Sequence, residues 1–201
     1  MADEVLAIIL AAGESRRMGR PKMLLPWRQT TVLGAVLSAY EAVLERDRIL
    51  VVCGGSRREV EQIAAEHAIA SVFNPDFHDG SMLRSIQVGI ASAQADVTAA
   101  LIGLGDQPQL RPETVRSLIG ALPTSSARLL VPSHDHRRGH PWLIRRALWA
   151  ALLTTPASES ARDFLARYPT EIRYVAIPTA DVIQDLDTPD DYAAYSPRPQ
   201  Q

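Results

Sequence analysis

The chain has 201 residues, enough for one domain with a sizeable core, so we expect residues 1–201 to form a single domain with a frayed, Pro-rich tail at 196–201. Its 46% hydrophobic and 22% charged residues are typical of a globular protein, and no apolar run is long enough to span a bilayer. The net charge of -2 argues against nucleic-acid binding, and the acidic N-terminal segment argues against a signal peptide. We therefore expect a cytoplasmic protein without membrane or nucleic-acid partners.

Predicted strands and helices alternate along the chain. Apolar runs of strand length, mostly continuous as in strands covered on both faces, occur at residues 5–10, 48–53, 69–73, 98–104, 127–132 and 171–177. Stretches with helical spacing lie at residues 32–44, 57–66, 81–93, 112–122, 147–153 and 160–167. Ser56 with Glu59 predicts a capping box, and Pro112 suits a first helical turn. The alternation predicts a three-layer α/β fold with a mostly parallel central sheet.

Segments with binding chemistry follow the predicted strands. In a parallel α/β sheet, ligands bind beyond the carboxyl ends of the strands. The segments after the first four strands read AAGESRR, GGS, NPDFHDGS and GDQPQL. The functional residues are therefore expected there. Cys53, the only cysteine, ends the second strand and is predicted to be a small buried residue.

The first of these segments has the composition of a phosphate-binding loop. Residues 11–13 are small, so their N–H groups can approach a ligand, and Arg16, Arg17 and Lys22 add positive charge. This predicts a polyphosphate cradle; the alternative is an ordinary turn with solvated basic residues. Neither GxxxxGK[ST] nor GxGxxG is present, so any phosphate site belongs to another class. The sequence leaves open whether Arg16, Arg17 or Arg20 binds phosphate.

Two acidic positions are candidates for a metal site. Asp106 directly follows a predicted buried strand and could hold Mg²⁺, or it could cap the next helix or close a turn. Asp185 and Asp187 lie in VIQDLDTPDDY, where a two-residue spacing on an extended segment points both carboxylates to one face. One of them could complete the site. Alternatively, Asp187 caps the following helix, a role that Thr188 could fill equally well.

Four segments together resemble one enzyme family: LAAGESRRMGRPKMLLPW, GDQPQL, RRGHPWLI and DLDTPDDY. They are similar to nucleotidyltransferases with an LAAGxSxRMGxxK signature, in particular to the branch of molybdenum cofactor cytidylyltransferases and molybdopterin guanylyltransferases. The resemblance runs from about residue 5 to residue 195. It implies a Rossmann-like nucleotidyltransferase fold, Mg²⁺ as cofactor, and transfer of a nucleotidyl group from a nucleoside triphosphate with release of pyrophosphate.

The resemblance also implies roles for individual residues. Lys22 on the α-phosphate, Arg17 on the triphosphate and Asp106 would be catalytic, and Asp106 with Asp187 would hold Mg²⁺. The implied nucleotide-binding residues are Leu10, Ala11, Ala12, Gly13, Lys22, Asn74, Gly80, Ser81, Ser85 and Asp106. Ser81 would in any case cap a helix.

The segment RRGHPWLI is implied to bind the acceptor through Arg137, Arg138 and His140. A solvated basic hairpin tip is the alternative. Zinc binding by His134, His136 and His140 is not expected, because their spacing matches no structural zinc pattern and no cysteine joins them.

The substrate preference follows from Ala12. Guanylyltransferases of this group tend to read LAGG and cytidylyltransferases LAAG, and a methyl group at this position would crowd a larger base. The resemblance therefore implies CTP in preference to GTP and molybdopterin, bare or molybdenum-loaded, as acceptor, with a molybdoenzyme or its chaperone as a candidate protein partner. The alternatives are GMP transfer from GTP, another small phosphorylated acceptor, a nucleotide-binding accessory protein, and an NAD(P)H-dependent oxidoreductase.

Overall fold

The computed structural model describes residues 4–79 and 81–196, so Gly80 and most of the predicted frayed tail lie outside the described residues. The strands are β1 Val5–Ala11, β2 Pro26–Trp27, β3 Thr30–Thr31, β4 Ile49–Cys53, β5 Ala70–Phe73, β6 Ala99–Leu104, β7 Leu129–His134, β8 Arg137–Arg138, β9 Trp142–Arg145 and β10 Ile172–Ala176. The α-helices are α1 Val32–Glu41, α2 Arg57–Glu66, α3 Met82–Ala91, α4 Pro112–Ala121, α5 Trp149–Leu153, α6 Ala161–Ala166 and α7 Pro189–Tyr195. None of these helices is both long and apolar enough to cross a membrane.

The central sheet confirms the predicted fold class. Its strand order is β10-β7-β9-β6-β1-β4-β5, and β8 pairs with β7 outside this row. The pairs β5–β4, β4–β1, β1–β6 and β7–β10 are parallel. Strand β9, which the sequence did not predict, is antiparallel to both β6 and β7. Because it runs the opposite way, its first residues lie at the edge where the parallel strands end.

Two apolar layers cover the sheet, because alternate residues of each strand face opposite sides. In β1, Val5, Ala7 and Ile9 face the cluster formed with α1, α2 and α4. Leu6 and Ile8 face the cluster formed with α3, α5 and α6. The continuous apolar pattern of the strand follows from this double burial.

A third, small cluster joins the two ends of the chain. It contains Met18, Leu25, Trp27, Val32 and Leu186, with Tyr192 packed against it. The Tyr192 hydroxyl donates to the carbonyl oxygen of Pro26 at 2.5 Å. The segment after β1 and the C-terminal segment are thereby held together.

The N-termini of the helices show that one of the predicted helix-start signals is wrong and that two are right. Ser56 makes no side-chain capping bond, because its backbone (φ -113°, ψ 50°) is not in the extended conformation typical of a cap, so the predicted Ser56–Glu59 capping box is wrong. Pro112 does open α4, and Ser81 caps α3. Capping boxes occur instead at α6 and at α7, the helix after Asp187 for which the sequence left Asp187 and Thr188 as alternative caps. The α7 box consists of Thr188 and Asp191, which leaves Asp187 free of the capping role.

Candidate active site

The loop after β1, residues 12–22, brings Lys22 back to the end of the strand; we call it the signature loop. Ser15 and Gly19 adopt left-handed conformations with φ of 54° and 68°, which turn the chain sharply. The Ser15 hydroxyl then accepts a hydrogen bond from the backbone N–H of Lys22 at 3.1 Å. Among the hydrogen bonds of the described residues, none uses the backbone N–H of Gly13 or Glu14. These N–H groups are available to an anion.

Gly54, at the end of β4, permits close approach to the signature loop. A Cβ at this position would lie 2.4 Å from the carbonyl oxygen of Ala12 and 2.7 Å from Cβ of Phe77. The N–H of Gly55 donates to the same Ala12 oxygen at 3.2 Å. Side chains are therefore excluded where the two loops touch.

We expect Gly54→Ala to separate these loops. Because the methyl group would overlap backbone atoms, the variant should lose about 1–3 kcal/mol of stability and bind nucleotide more weakly. Thermal unfolding and nucleotide titration measure the two effects. Gly120→Ala is the control, since a Cβ there meets nothing within 4 Å. Equal behaviour of the two variants would contradict the close-approach argument.

Lys22 lies between two aspartates from distant parts of the chain. Its ammonium group pairs with Oδ2 of Asp106 and, at 3.1 Å, with Oδ1 of Asp187, which is 165 residues away in sequence. The side chains of Lys22 and Asp106 are each only 12% exposed. The alternative role of Asp106 as a helix cap does not apply, because α4 is preceded by Arg111.

The apolar residue between the two C-terminal aspartates sets the position of Asp187. Leu186 is fully buried in the third cluster, and its N–H donates to the backbone oxygen of Asp106 at 3.1 Å. Asp185 instead accepts from Nε2 of Gln107 at 2.7 Å. Both Asp185 and Asp187 are close enough to oppose ionisation of Asp106 electrostatically. The structure thus brings the three carboxylates near one another, and of the two C-terminal aspartates only Asp187 pairs with Lys22.

The structure distinguishes the three arginines of the signature loop. Arg17 pairs with Oδ2 of Asp187 at 2.9 Å, next to Lys22. Arg16 instead pairs with Glu14 at 2.6 Å, and the guanidinium group of Arg20 lies over the Tyr192 ring, 5.6 Å from its centroid. Arg17 is therefore the arginine that contacts the Lys22 cluster.

The electrostatic balance at Lys22 favours its charged form. Burial by itself would lower the pKa of Lys22, but the charges and hydrogen bonds of Asp106 and Asp187 outweigh burial and raise it. The stabilisation of the fold by these ion pairs is therefore present in full at pH values below the unfolded-state pKa of Lys22. This contribution is lost as the pH rises through the folded-state pKa.

A titration can test this balance directly, because Lys22 is the only lysine in the sequence. Labelling with ¹³C-lysine gives one side-chain NMR signal, whose midpoint should lie above that of an unperturbed lysine. In Asp187→Asn the midpoint should move down, because one of the two negative charges is removed. A wild-type midpoint at or below about 10.4, the ordinary lysine value, would contradict the geometry described above.

The predicted base-binding residues of the β5–α3 loop are mostly engaged within the protein. Asn74 is fully buried, donates from Nδ2 to the Ser85 hydroxyl at 3.1 Å, and accepts from the N–H of Asp76 at 3.0 Å. Ser81 accepts from the N–H of Arg84 at 3.4 Å as a helix cap. Asn74 and Ser85 therefore hold this loop through internal hydrogen bonds. Direct contact of either residue with a base stays a prediction.

The predicted acceptor segment contains an exposed hairpin and a partly buried histidine, His140. Arg137 and Arg138 pair with His134 and Ser133 across a two-residue turn, whose residues Asp135 and His136 have positive φ. Both arginines are exposed, and neither contacts the Lys22 cluster.

His140 lies nearer to the cluster than the two arginines. Its side chain is partly buried and stacks on the Trp142 ring, with ring centroids 4.5 Å apart. It is also close enough to Asp106 for an electrostatic interaction. Burial lowers its pKa to about 4, so the imidazole is neutral at neutral pH. It can therefore act as a hydrogen-bonding group and not as a fixed charge.

The sequence matches the family described as MobA-like NTP transferase domain over residues 7–172, a span that includes Lys22 and Asp106 and ends before Asp187. The chain belongs to this family. The molybdenum cofactor cytidylyltransferase of Escherichia coli K12 is 32% identical to this transferase over 195 residues, 95% of each chain. Rv0371c of Mycobacterium tuberculosis H37Rv has a similar structure, with a TM-score of 0.83 at 30% identity over 95% of this chain and 96% of that one. Rv0371c in complex with manganese gives a TM-score of 0.78 at 29% identity over 95% and 97%.

The transferase is thus a nucleotidyltransferase with a mostly parallel Rossmann-like sheet, as the signature predicted. Two residues near its site had no sequence signal. Gln107 fixes Asp185 and also donates to the backbone oxygen of Val182 at 3.3 Å. Glu14 occupies a variable position of the signature but contacts both Arg16 and His78. Such contacts depend on loops that meet only in the folded chain.

Proposed function

We propose that this transferase moves CMP from CTP to molybdopterin or a molybdenum-loaded form of it, with Mg²⁺ as cofactor and pyrophosphate as the second product. The observation that carries the chemistry is Lys22, the last residue of the signature loop, held between two carboxylates. The similarity to the E. coli cytidylyltransferase over 95% of each chain supports the choice of substrates.

The residues present suit a divalent cation. Asp106 and Asp187 already hold one cationic group between them, the ammonium of Lys22. Within the described residues, no three His, Cys, Asp or Glu side chains form a metal site of their own. Mg²⁺ commonly takes one or two carboxylates and completes its coordination with water and phosphate oxygens, so this donor set fits the ion. The manganese complex of Rv0371c supports a divalent metal here.

Binding of substrate would change the partners of the cations. Lys22 and Arg17 neutralise the carboxylates. A metal ion held by Asp106 and Asp187 would supply this charge instead, and both basic side chains would then be available to phosphate oxygens. A bound Mg²⁺ would supply charge neutralisation and orientation of the phosphates for in-line attack. Lys22 would then stabilise the charge that grows on the α-phosphorus oxygens in the transition state.

The acceptor would need no general base. A terminal phosphate has a second pKa of about 6 and is already ionised at neutral pH, so its oxygen can attack directly. Arg137 and Arg138 carry exposed positive charge on the hairpin, and neutral, partly buried His140 offers a hydrogen bond. We assign the acceptor to the side of the Lys22 cluster where His140 lies, because His140 is near enough to Asp106 for an electrostatic interaction.

The base preference is tested by Ala12→Gly. Ala12 is only 5% exposed and touches the β4–α2 loop through its carbonyl oxygen, so removing its methyl group creates room without breaking that bond. We expect the ratio of kcat/KM for CTP to that for GTP to fall by about tenfold, comparable to the effect of one methyl-sized change in a pocket. An unchanged ratio would remove Ala12 from the selection of the base.

The function itself is tested by pyrophosphate release from purified protein with Mg²⁺ and molybdopterin, bare or molybdenum-loaded. Release with CTP and not with GTP is the expected result. Release with GTP alone would reverse the base assignment. Nucleotide binding without release for either base would contradict molybdopterin as the acceptor.

A further inference from the structure

Glu14 connects the signature loop to the loop between β5 and α3. One carboxylate oxygen, Oε2, accepts from Nε of Arg16 at 2.7 Å, and the other, Oε1, lies 3.1 Å from Nδ1 of His78. His78 lies in a short helical turn, Phe77–Asp79, between the buried Asn74 and the cap of α3. The Glu14–His78 contact joins two loops that are 64 residues apart in sequence.

A third loop packs against the same place. A Cβ on Gly55 would lie 3.2 Å from Cα and 3.1 Å from Cγ of Glu14, so the β4–α2 loop touches Glu14 directly. Phe77 packs against Gly54, and its ring lies beside that of His78, with centroids 3.8 Å apart and an interplanar angle of 37°. Glu14 is thus the point where the loops following β1, β4 and β5 meet.

The Glu14–Arg16 pair is independent of the Lys22 cluster. Arg17 and Lys22 are paired with Asp187 and Asp106, the candidate metal ligands, and would be released when metal binds. Glu14 contacts neither aspartate. Metal binding by the aspartates would therefore leave the Arg16–Glu14 pair intact. The bridge from Arg16 through Glu14 to His78 can therefore persist while nucleotide is bound.

We propose that Glu14 and His78 are positioning residues, which hold residues 74–79 against the signature loop and thereby set the affinity for the nucleoside triphosphate without touching the reacting atoms. The proposal rests on the nucleotide-binding part of the proposed function and not on the acceptor. The His78 side chain is 68% exposed and that of Glu14 27%, so solvent screens the bridge. An exposed polar contact of this kind corresponds to an effect of about two- to fivefold on affinity.

The experiment measures the Kd for CTP and for GTP by calorimetry with Mg²⁺, and kcat and KM with the preferred nucleotide. In Glu14→Ala and His78→Ala we expect Kd and KM to rise about two- to fivefold while kcat is unchanged. The double variant should be no worse than either single variant, because both remove the same bridge. His78→Gln should restore part of the affinity, since its amide N–H can still donate to Glu14. Glu45→Ala, which removes an exposed carboxylate on another surface, is the charge-matched control.

Three results would count against parts of this assignment, and they can be told apart. An unchanged Kd in His78→Ala, or additive losses in the double variant, would overturn the bridge. A fall in kcat with unchanged KM would overturn the positioning role. Failure of the wild-type protein to bind either nucleotide would overturn the proposed nucleotide site itself. Hydrogen exchange of residues 74–79, which should quicken in Glu14→Ala and stay as in wild type in Glu45→Ala, tests the loop contact without any nucleotide.

Discussion

Replacing Lys22 by alanine should lower kcat/KM on the order of 10²- to 10³-fold, the cost usually found when one group that stabilises transition-state charge is removed. The ammonium group of Lys22 lies between Asp106 and Asp187, and the chain contains no other lysine that could replace it. The loss should appear in kcat and kcat/KM together, because the interaction with the α-phosphate strengthens only in the transition state. Initial rates of pyrophosphate release measure it.

The same variant should respond unusually to metal. Without Lys22, Asp106 loses its cationic partner and Asp187 keeps only Arg17, so the free variant should unfold at a lower temperature than the wild type. A divalent ion that binds the carboxylates would replace the missing charge. The rise in Tm on adding Mg²⁺ should therefore be larger for Lys22→Ala than for the wild type.

Arg20→Ala is the matched control for Lys22→Ala. It removes a positive charge from the same loop, but Arg20 contacts the Tyr192 ring and not the aspartates. Its kinetics and its response to Mg²⁺ should stay close to those of the wild type. Full activity in a correctly folded Lys22→Ala protein would exclude the proposed role of Lys22.

Asp106→Asn should have the second large effect, a loss of activity on the order of 10³-fold with weakened metal binding, because metal stabilisation of phosphate charge amounts to several kcal/mol. The asparagine keeps the shape of the side chain and can still accept a hydrogen bond from Lys22. Burial raises the pKa of Asp106, so loss of its charge relieves a desolvation cost, while Asp187 still pairs with Lys22; the fold should therefore tolerate the change. Calorimetric titration with Mn²⁺ and activity as a function of Mg²⁺ concentration measure the effect.

Asp185→Asn separates this prediction from a general effect of negative charge. Asp185 bonds Gln107 and not Lys22, although it lies near Asp106. It should therefore retain activity within a few-fold of the wild type. If Asp185→Asn lost as much activity and Mn²⁺ affinity as Asp106→Asn, the metal would have to be reassigned to a site that includes Asp185.

Local sequence signals account for the parts of this protein that depend on neighbouring residues. The continuous apolar runs predicted the central strands correctly, because burial on both faces requires apolar residues at every position. The signature segment predicted the loop, its lysine and its family. Asp106 could be identified because a polar residue at the end of a buried strand must lie at the ligand-binding edge of a parallel sheet.

Other features were decided by contacts that form only in the folded chain. The short strand β9 was missed because four residues carry little periodicity, and its antiparallel pairing depends on two strands that come before it in the chain. The capping box predicted at Ser56 failed because its backbone angles lie outside the extended region typical of a cap.

The choice among nearby charged residues was likewise tertiary. The sequence alone determined the fold class, the signature loop and the aspartates from which the site is built. Only the folded chain selects Asp187 over Asp185 and Arg17 over Arg16, because burial of Leu186 orients one carboxylate toward Lys22 and Glu14 engages the other arginine. The two aspartates have the same chemistry, as do the two arginines, so only the tertiary structure determines which of each pair contacts the Lys22 cluster.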